Sequence, residues 1–200
     1  MTYRFLEEAD GIYRLRVPFE NIYTSVFLVE SGEGALLVDC ATTAEDVDGV
    51  ILPALRERGL DASALRALVL THHHRDHAGG RARLLTHCPT LKTIDFSHRE
   101  EIAGISFSPL PGHTKNSMGV FVSRCGILIS GDGLQGDGVD RYRTSLEDRE
   151  AYLDTLDRLE ADESIQGILF SHAYEPWCED SAFGREAVLR CLLACRKSIG

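Results

Sequence analysis

The chain begins with an alternation of apolar and polar positions that predicts β-strands. Tyr13, Leu15 and Val17 recur at every second position, and a period of two is typical of a strand with one buried face. Two short apolar runs, SVFLVE and ALLVDC, come next and enclose the turn sequence SGEG. A Gly-rich turn between two apolar runs predicts a β-hairpin.

Apolar residues at helical spacing predict a helix after this hairpin. Thr42 or Thr43 is a suitable N-cap, because a hydroxyl there can accept from a backbone N–H of the first turn. Glu45 and Asp46 follow in that turn, and Gly59 is expected to end the helix. The apolar stripe of this helix contains Val47, Val50, Ile51, Leu52 and Leu55, with Pro53 inside the pattern.

The rest of the chain alternates apolar runs with amphipathic stretches. The predicted helices cover residues 81–85, 145–161 and 182–197. The predicted strands are ALRALVLT, LKTIDF, ISFSPL, GVFVS, GILIS and GILFSH. Strands that alternate with helices predict an α/β (α+β) fold of layered sheets with helices outside. We expect residues 1–200 to form a single domain, which suits a chain of this length.

The sequence THHHRDHAGG directly follows an apolar run and carries the strongest chemical signal. In an extended segment alternate side chains share a face, so His72, His74 and Asp76 are predicted to converge. His77 has the opposite parity and is expected to join them through a turn. The glycine pair at 79–80 permits close backbone approach there. Imidazole and carboxylate groups are ligands of zinc, iron and manganese, so this segment predicts a metal site.

Three further residues of ligand type stand just past predicted strands: His113, Asp132 and His172. Each alone has a structural explanation, because a His at a strand end is commonly a hydrogen-bonded surface residue and Gly-Asp-Gly is commonly a turn. Together, four strand ends deliver five His and two Asp. We expect them to meet at one sheet edge, where ligand sites gather.

The seven residues resemble, in identity and in order, the metal ligands of the metallo-β-lactamase fold superfamily. The resemblance covers roughly residues 12–180 and implies a four-layer αββα sandwich, with 1–200 as one metallo-β-lactamase-like domain. The implied ligands of a first metal ion are His72, His74 and His113. Those of a second ion are Asp76, His77 and His172, and Asp132 is the implied bridge between the ions.

The resemblance also implies a reaction. Two divalent ions about 3.5–4 Å apart can share a hydroxide, because each ion lowers the pKa of the bound water. That hydroxide would attack a carbonyl carbon while a metal ion stabilises the developing oxyanion. Asp76 is expected to orient the water or to accept a proton. Zinc is the expected metal. Iron and manganese are alternatives, because metal supply often decides which ion occupies a site.

Within the superfamily, the ligand set resembles that of glyoxalase II-type thioesterases and lactonases. A thioester, ester or lactone is therefore the expected substrate. Zinc β-lactamases have a Cys, or no bridging carboxylate, at the position of Asp132, so β-lactam hydrolysis is an alternative. A mononuclear-iron persulfide dioxygenase is a second alternative, because those oxidoreductases resemble glyoxalase II. A non-catalytic metal-binding domain is disfavoured by the complete ligand set.

The chain departs from glyoxalase II in places that concern the substrate. Residues 173–200 leave room for about one helix, where glyoxalase II has a helical domain that helps to hold glutathione. Lys115-Asn116 stands where the family often has Pro-Gly. A glutathione substrate is therefore in doubt. Whether Lys115 or Tyr142 contacts the substrate is left open, and packing is the favoured role of Tyr142.

The other histidines are not expected to bind metal. His73 faces away from the predicted ligands by parity, and His87 and His98 have no partners at ligand spacing. Asp39, at the end of the ALLVDC run, stands close to the predicted site. We expect it to tether loops or to support the ligands rather than to bind metal itself.

Charge and composition exclude several other classes of protein. The formal net charge of −10 disfavours nucleic acid, RNA-processing nucleases included, and also anionic membranes, so the expected partner is a small-molecule substrate. No stretch approaches the ~20 apolar residues of a membrane span, and the N-terminus has no signal-peptide pattern. The six cysteines contain no C-x-x-C pair and are expected to be reduced thiols. The expected location is cytoplasmic, and the sequence does not predict an oligomeric state.

Overall fold

The computed structural model describes residues 3–20, 22–32, 34–98, 100–136, 145–173 and 179–199. The chain divides into two structural units, residues 1–98 and 99–200. Each unit is built on one β-sheet with helices packed against it.

The sheet of the first unit has six strands that lie side by side in chain order. They are β1 (Leu6–Ala9), β2 (Ile12–Phe19), β3 (Ile22–Glu30), β4 (Ala35–Val38), β5 (Leu65–Val69) and β6 (Lys92–Ile94). The first four are antiparallel neighbours, whereas β4, β5 and β6 run parallel. The hairpin predicted around SGEG is the β3–β4 pair.

The helix predicted after this hairpin is confirmed and contains one widened turn. Thr43 caps it: the Thr43 hydroxyl accepts from Asp46 N at 3.1 Å, and the Asp46 carboxylate accepts from Thr43 N at 2.9 Å. Pro53 has no N–H to donate to Gly49, and the turn before it is π-helical. The segments are α1 (Ala44–Asp46), the π-helical turn Val47–Ile51 and α2 (Leu52–Glu57). A 3₁₀ turn (Ala62–Ala64), α3 (Arg75–Ala78) and α4 (Arg81–His87) complete the unit.

The core of the first unit forms where the sheet packs on these helices. Its members include Leu15, Leu28, Leu37, Leu68, Val47, Ile51 and Leu55. The opposite face of β2 is buried as well, because Arg14 is fully buried there. The Arg14 guanidinium lies 3.1 Å from the Glu8 carboxylate and packs over the Phe27 ring. The alternating pattern predicted one buried face, and β2 has two.

The sheet of the second unit has five strands in the order β11-β10-β9-β8-β7. They are β7 (Ile105–Pro109), β8 (Met118–Val122), β9 (Ile127–Ile129), β10 (Gly167–Leu169) and β11 (Ser181–Phe183). Strands β9 and β10 are parallel, and the other neighbours are antiparallel. The unit also contains a 3₁₀ turn (Gly131–Gly133) and the helices α5 (Arg149–Ala161) and α6 (Arg185–Ser198).

Two predicted helix starts are wrong, each for a local reason. The helix predicted over 145–161 begins only at Arg149, because Asp148 is its cap and accepts from Ala151 N at 3.0 Å. The helix predicted over 182–197 begins at Arg185, because residues 181–183 pair with β10 as a strand. The other predicted strands and helices lie at their expected places.

The predicted α/β (α+β) fold class is confirmed, since both units combine a β-sheet with helices. Across the described segments, no helix is both long enough and apolar enough to cross a membrane. Five cysteines of those segments are free thiols: Cys40, Cys88, Cys125, Cys191 and Cys195.

Candidate metal centre

The segment after β5 brings four of the predicted ligands together within the first unit. The chain runs on from Val69 without regular structure to His74, and α3 then begins. The rings of His72 and His74 meet edge to face, 4.6 Å between centroids, and the His77 ring lies 4.1 Å from that of His72. His77 Nε2 lies 3.5 Å from the Asp76 carboxylate. The predicted turn that brings His77 to the others is the first turn of α3.

A buried carboxylate, Asp39, holds this segment in place. Its oxygens accept from the backbone N and the hydroxyl of Thr71, both at 2.8 Å, and from Nδ1 of His77 at 2.7 Å. The Thr71 hydroxyl lies 3.1 Å from Nδ1 of His72. Because that hydroxyl donates to Asp39, it accepts from His72 Nδ1–H. The prediction that Asp39 tethers this segment is confirmed by these contacts.

Two backbone segments touch where α3 meets the chain after β4. The Cys40 N–H donates to the His77 carbonyl at 2.8 Å, and the Cys40 thiol donates to the same oxygen at 3.3 Å. A Cβ on Gly79 would lie 2.0 Å from the Thr42 carbonyl oxygen, and one on Gly80 would lie 2.2 Å from the Cys40 carbonyl oxygen. The close approach predicted for this glycine pair is therefore confirmed.

In the second unit, the parallel strands β9 and β10 end side by side. Ser130 N donates to the Leu169 carbonyl at 3.0 Å, just past both strand ends. Asp132 follows in the 3₁₀ turn, and His172 follows three residues after β10. His172 Nε2 lies 3.3 Å from the Asp132 carboxylate.

His113 reaches the same carboxylate from the end of β7. Its Nε2 lies 3.7 Å from Asp132, and its Nδ1 lies 2.7 Å from the carbonyl oxygen of Ser145, to which it donates. Gly112, beside it, packs directly on Tyr152: a Cβ there would lie 2.4 Å from the ring. The three predicted ligands of this unit therefore converge.

The donor set fits a divalent metal ion. The nitrogen and oxygen donors are those of zinc, manganese and iron sites. His72, His77 and His113 each donate Nδ1–H to an oxygen, directly to Thr71, Asp39 and Ser145 respectively. This tautomer places the lone pair on Nε2, which is the arrangement of metal-binding histidines. Burial raises the pKa of the neighbouring Cys40 thiol, which keeps it protonated rather than a thiolate ligand.

The histidines predicted to lie outside the site have surface positions or other partners. His73 is exposed, the His87 ring lies 3.0 Å from the exposed Asp48 carboxylate, and His98 is half-buried, with its backbone N–H donating to the Asp95 carbonyl. Lys115 donates its backbone N–H to the Glu147 carboxylate, and whether its ammonium contacts substrate stays a prediction. Tyr142 lies outside the described residues.

Sequence reasoning missed two supporting groups of the site, the Thr71 hydroxyl and the Ser145 carbonyl. Thr71 could have been suspected from its place beside His72 at the end of a strand. The Ser145 carbonyl gives no sequence signal, because every residue has a carbonyl and only the folded chain brings this one to His113.

Comparisons with known proteins found one family profile and several curated proteins that are similar to parts of this chain. A family profile described as "Metallo-beta-lactamase superfamily" matches residues 21–93. The chain is 33% identical to a hydroxyacylglutathione hydrolase of Methylobacillus flagellatus over 140 residues, which cover 62% of this chain and 51% of that protein. It is 24% identical to an atrochrysone carboxyl ACP thioesterase of Passalora fulva, over 68% of this chain and 44% of that protein. The chain spans about half the length of the curated relatives it matches.

Solved structures show the fold. A metallo-beta-lactamase from Erythrobacter litoralis has a TM-score of 0.76 at 21% identity, covering 96% of both chains. The metallo-beta-lactamase FIM-1 from Pseudomonas aeruginosa, in its mono-zinc form, has a TM-score of 0.73 at 20% identity, covering 100% of this chain and 98% of that one. The metallo-β-lactamase-like sandwich fold predicted from the ligand pattern is thereby confirmed.

Proposed function

We propose that this chain, which matches the metallo-beta-lactamase superfamily profile over residues 21–93, is a metal-dependent hydrolase that cleaves a thioester, an ester or a lactone. One observation carries the proposal. The rings of His72, His77 and His113 have Nδ1 bonded to oxygen acceptors, so each presents the lone pair of Nε2. Histidines whose Nδ1–H is hydrogen-bonded and whose Nε2 lone pair is available serve as ligands of catalytic metals.

The proposed metal ligands are the seven residues named from the sequence. For the first ion they are His72, His74 and His113. For the second they are Asp76, His77 and His172, with Asp132 bridging both ions. Support comes from each unit by itself, because His72, His74, Asp76 and His77 converge in one, and His113, Asp132 and His172 in the other.

Two divalent ions bound there, with zinc as the first choice, would lower the pKa of water and supply a hydroxide near neutral pH. The protein's part is to hold the ligands rigidly and to move protons. Asp39 fixes His77 directly and His72 through Thr71, so these rings need not reorganise during reaction. Asp76 is only partly buried and lies beside His77 Nε2. We assign it the role of orienting the attacking water and accepting its proton.

The proposed substrate is a small molecule with an activated acyl group. The names of two similar proteins, a hydroxyacylglutathione hydrolase and an ACP thioesterase, favour a thioester. Asp132 also favours this class, because its carboxylate stands where zinc β-lactamases have a Cys or no bridging carboxylate. A cytoplasmic location remains part of the same proposal.

The test is metal analysis of the purified protein together with hydrolysis of a small acyl thioester and of a γ-lactone. We expect about two metal ions per chain in the wild type. His74→Ala should lose metal and slow hydrolysis by at least about a hundredfold, because a metal that stabilises the oxyanion is lost. His73→Ala is the matched control, because the His73 imidazole is exposed like that of His74 but has the opposite parity.

Three outcomes would contradict the proposal. One is a folded protein that takes up no zinc. Another is equal loss of hydrolysis in His73→Ala and His74→Ala. The third is one iron per chain with oxygen consumption on a persulfide and no hydrolysis, which would make the protein a dioxygenase. Hydrolysis of a β-lactam in preference to both test substrates would instead identify a lactamase.

A further inference from the structure

One face of helix α5 runs along the short piece of chain that leads from the end of β7 to His113. We call residues 109–113 the His113 segment. The residues of α5 and its cap that contact this segment are Asp148, Tyr152, Thr155 and Arg158. Positions three or four residues apart are neighbours on the surface of a helix. A single face of α5 therefore makes all of these contacts.

Side chains of this face donate hydrogen bonds to carbonyls of the His113 segment. The last residue pair of β7 with β8 is Pro109 with Met118, so Pro111 lies past the end of the strand ladder. The Arg158 guanidinium donates to the Pro109 carbonyl at 2.6 Å, and the Thr155 hydroxyl donates to the Pro111 carbonyl at 3.0 Å. Thr155 is only 1% exposed. Water therefore cannot readily replace its hydroxyl if that hydrogen bond is lost.

The chain that enters α5 holds both the backbone next to His113 and the imidazole itself. Glu147 N donates to the Gly112 carbonyl at 2.9 Å, and Asp148 N donates to the same oxygen at 3.2 Å. Two residues before Glu147, the Ser145 carbonyl accepts from His113 Nδ1 at 2.7 Å. The acceptor that fixes the His113 ring is therefore joined to the helix, whereas the ring is joined to the His113 segment.

A shift of the His113 segment away from α5 would lengthen the hydrogen bond between His113 Nδ1 and the Ser145 carbonyl. The ring would then no longer be restricted to the tautomer that leaves the lone pair on Nε2. His113 Nε2, which lies 3.7 Å from the Asp132 carboxylate, would also change its distance to that group. Thr155 is the buried residue of the face whose side chain bonds to the segment, whereas Arg158 is exposed.

We propose that Thr155 is a positioning residue for His113. Its hydroxyl holds the Pro111 carbonyl against α5, and this contact keeps the His113 ring within reach of the Ser145 carbonyl. Thr155 thereby selects the nitrogen that His113 presents, although it acts only through its neighbours and does not itself bind metal or substrate. Because His113 is a proposed metal ligand, the consequence for metal binding rests on the proposed function, whereas the consequence for the ring does not.

The first test needs no metal. Long-range ¹H–¹⁵N NMR correlations of metal-free protein, at a fixed pH of about 8.5 where imidazoles are neutral, report the tautomer of His113. The His113 signals are identified by their absence in His113→Gln. We expect the Nδ1–H tautomer in the wild type and a smaller separation of the two ¹⁵N shifts in Thr155→Val, which lacks the hydroxyl but keeps the branched shape. Thr155→Ser keeps the hydroxyl and should restore the wild-type pattern.

Ser123 provides the matched control at the opposite end of β7. Its hydroxyl donates to the Gly104 carbonyl at 2.8 Å, just before β7 begins. Ser123→Ala removes this bond without touching the His113 segment and should leave the His113 signals unchanged. A wild-type pattern in Thr155→Val, or an equal change in Ser123→Ala, would overturn the proposal. If the valine variant does not fold, Thr155→Ala removes the same hydroxyl without adding a methyl group beside the carbonyl, and its signals are judged by the same criteria.

The second test concerns metal binding. Zinc affinity is measured by chelator competition for the wild type, Thr155→Val and Thr155→Ser. We expect about a tenfold loss in the valine variant, as for other disturbed supporting contacts, and wild-type affinity in the serine variant. An altered His113 pattern with unchanged zinc affinity would refute the link from Thr155 to the metal site. Failure of zinc to bind the wild type would count against the proposed function, and the NMR test of His113 would still decide the positioning role.

Discussion

Asp39 organises the ligands of the first unit through a single buried carboxylate. It adopts a φ of +62°, a left-handed conformation that Asp tolerates better than most residues. Three donors meet its two oxygens: Thr71 N, Thr71 Oγ1 and His77 Nδ1. Its place after a strand was enough to predict a supporting role. The relay through Thr71 to His72 was not predictable, because it depends on side-chain rotamers set by the fold.

Replacing Asp39 with Asn should weaken both folding and metal binding. The amide offers one oxygen to three donors, so a buried donor loses its acceptor, at about 1–3 kcal/mol of unfolding free energy. His77 would lose its fixed tautomer, and zinc affinity should fall by about 10- to 100-fold. Urea unfolding and chelator competition measure the two effects. Asp154→Asn, an exposed carboxylate on α5, should change neither, and an equal response of both variants would contradict this account.

At the scale of elements, apolar periodicity predicted those strands and helices whose own residues form a buried face. β3, α5 and β10 are examples. β11 was missed because Ser181–Phe183 lies in no apolar run, and it becomes a strand only because β10 offers it an edge. The glycine pair between α3 and α4 was identified correctly, because close approach leaves few other choices of residue.

Gly80→Ala should destabilise the protein, because its methyl group would lie 2.2 Å from the Cys40 carbonyl oxygen and 2.6 Å from the Val47 side chain. Overpacking of this kind costs about 1–3 kcal/mol. Gly49→Ala is the matched control. Nothing lies within 4 Å of its Cβ position, and the change should stabilise the helical segment by about 0.4–1 kcal/mol. Chemical denaturation compares the two variants, and shifts of the same sign would refute the argument.

At the scale of the whole molecule, the seven proposed ligands come from separate parts of the chain. They are His72, His74, Asp76, His77, His113, Asp132 and His172. A ligand that binds only the folded state stabilises it by mass action. Zinc at about 100 times its dissociation constant should add about 2.7 kcal/mol, or roughly 5–10 °C in Tm for a chain of this size. The formal net charge of −10 favours cation uptake in addition.

Thermal unfolding of metal-free protein, with and without zinc, tests this prediction. The shift in Tm should shrink in His72→Ala and also in His172→Ala, since each removes a proposed ligand. His87→Ala is the control, because His87 is exposed and pairs with Asp48. A full shift in either His72→Ala or His172→Ala would show that zinc stabilises the protein from some other site.

The amino-acid sequence alone determined which residues have ligand chemistry, their order, and the strands that carry them to their positions. These properties depend on residue type and on short-range period, which are local. The tertiary structure alone decided which nitrogen His77 and His113 present. His77 is fixed by a carboxylate 38 residues away and His113 by a carbonyl 32 residues away. No local pattern specifies a hydrogen-bond partner at that distance, because the partner is chosen by the packing of the chain.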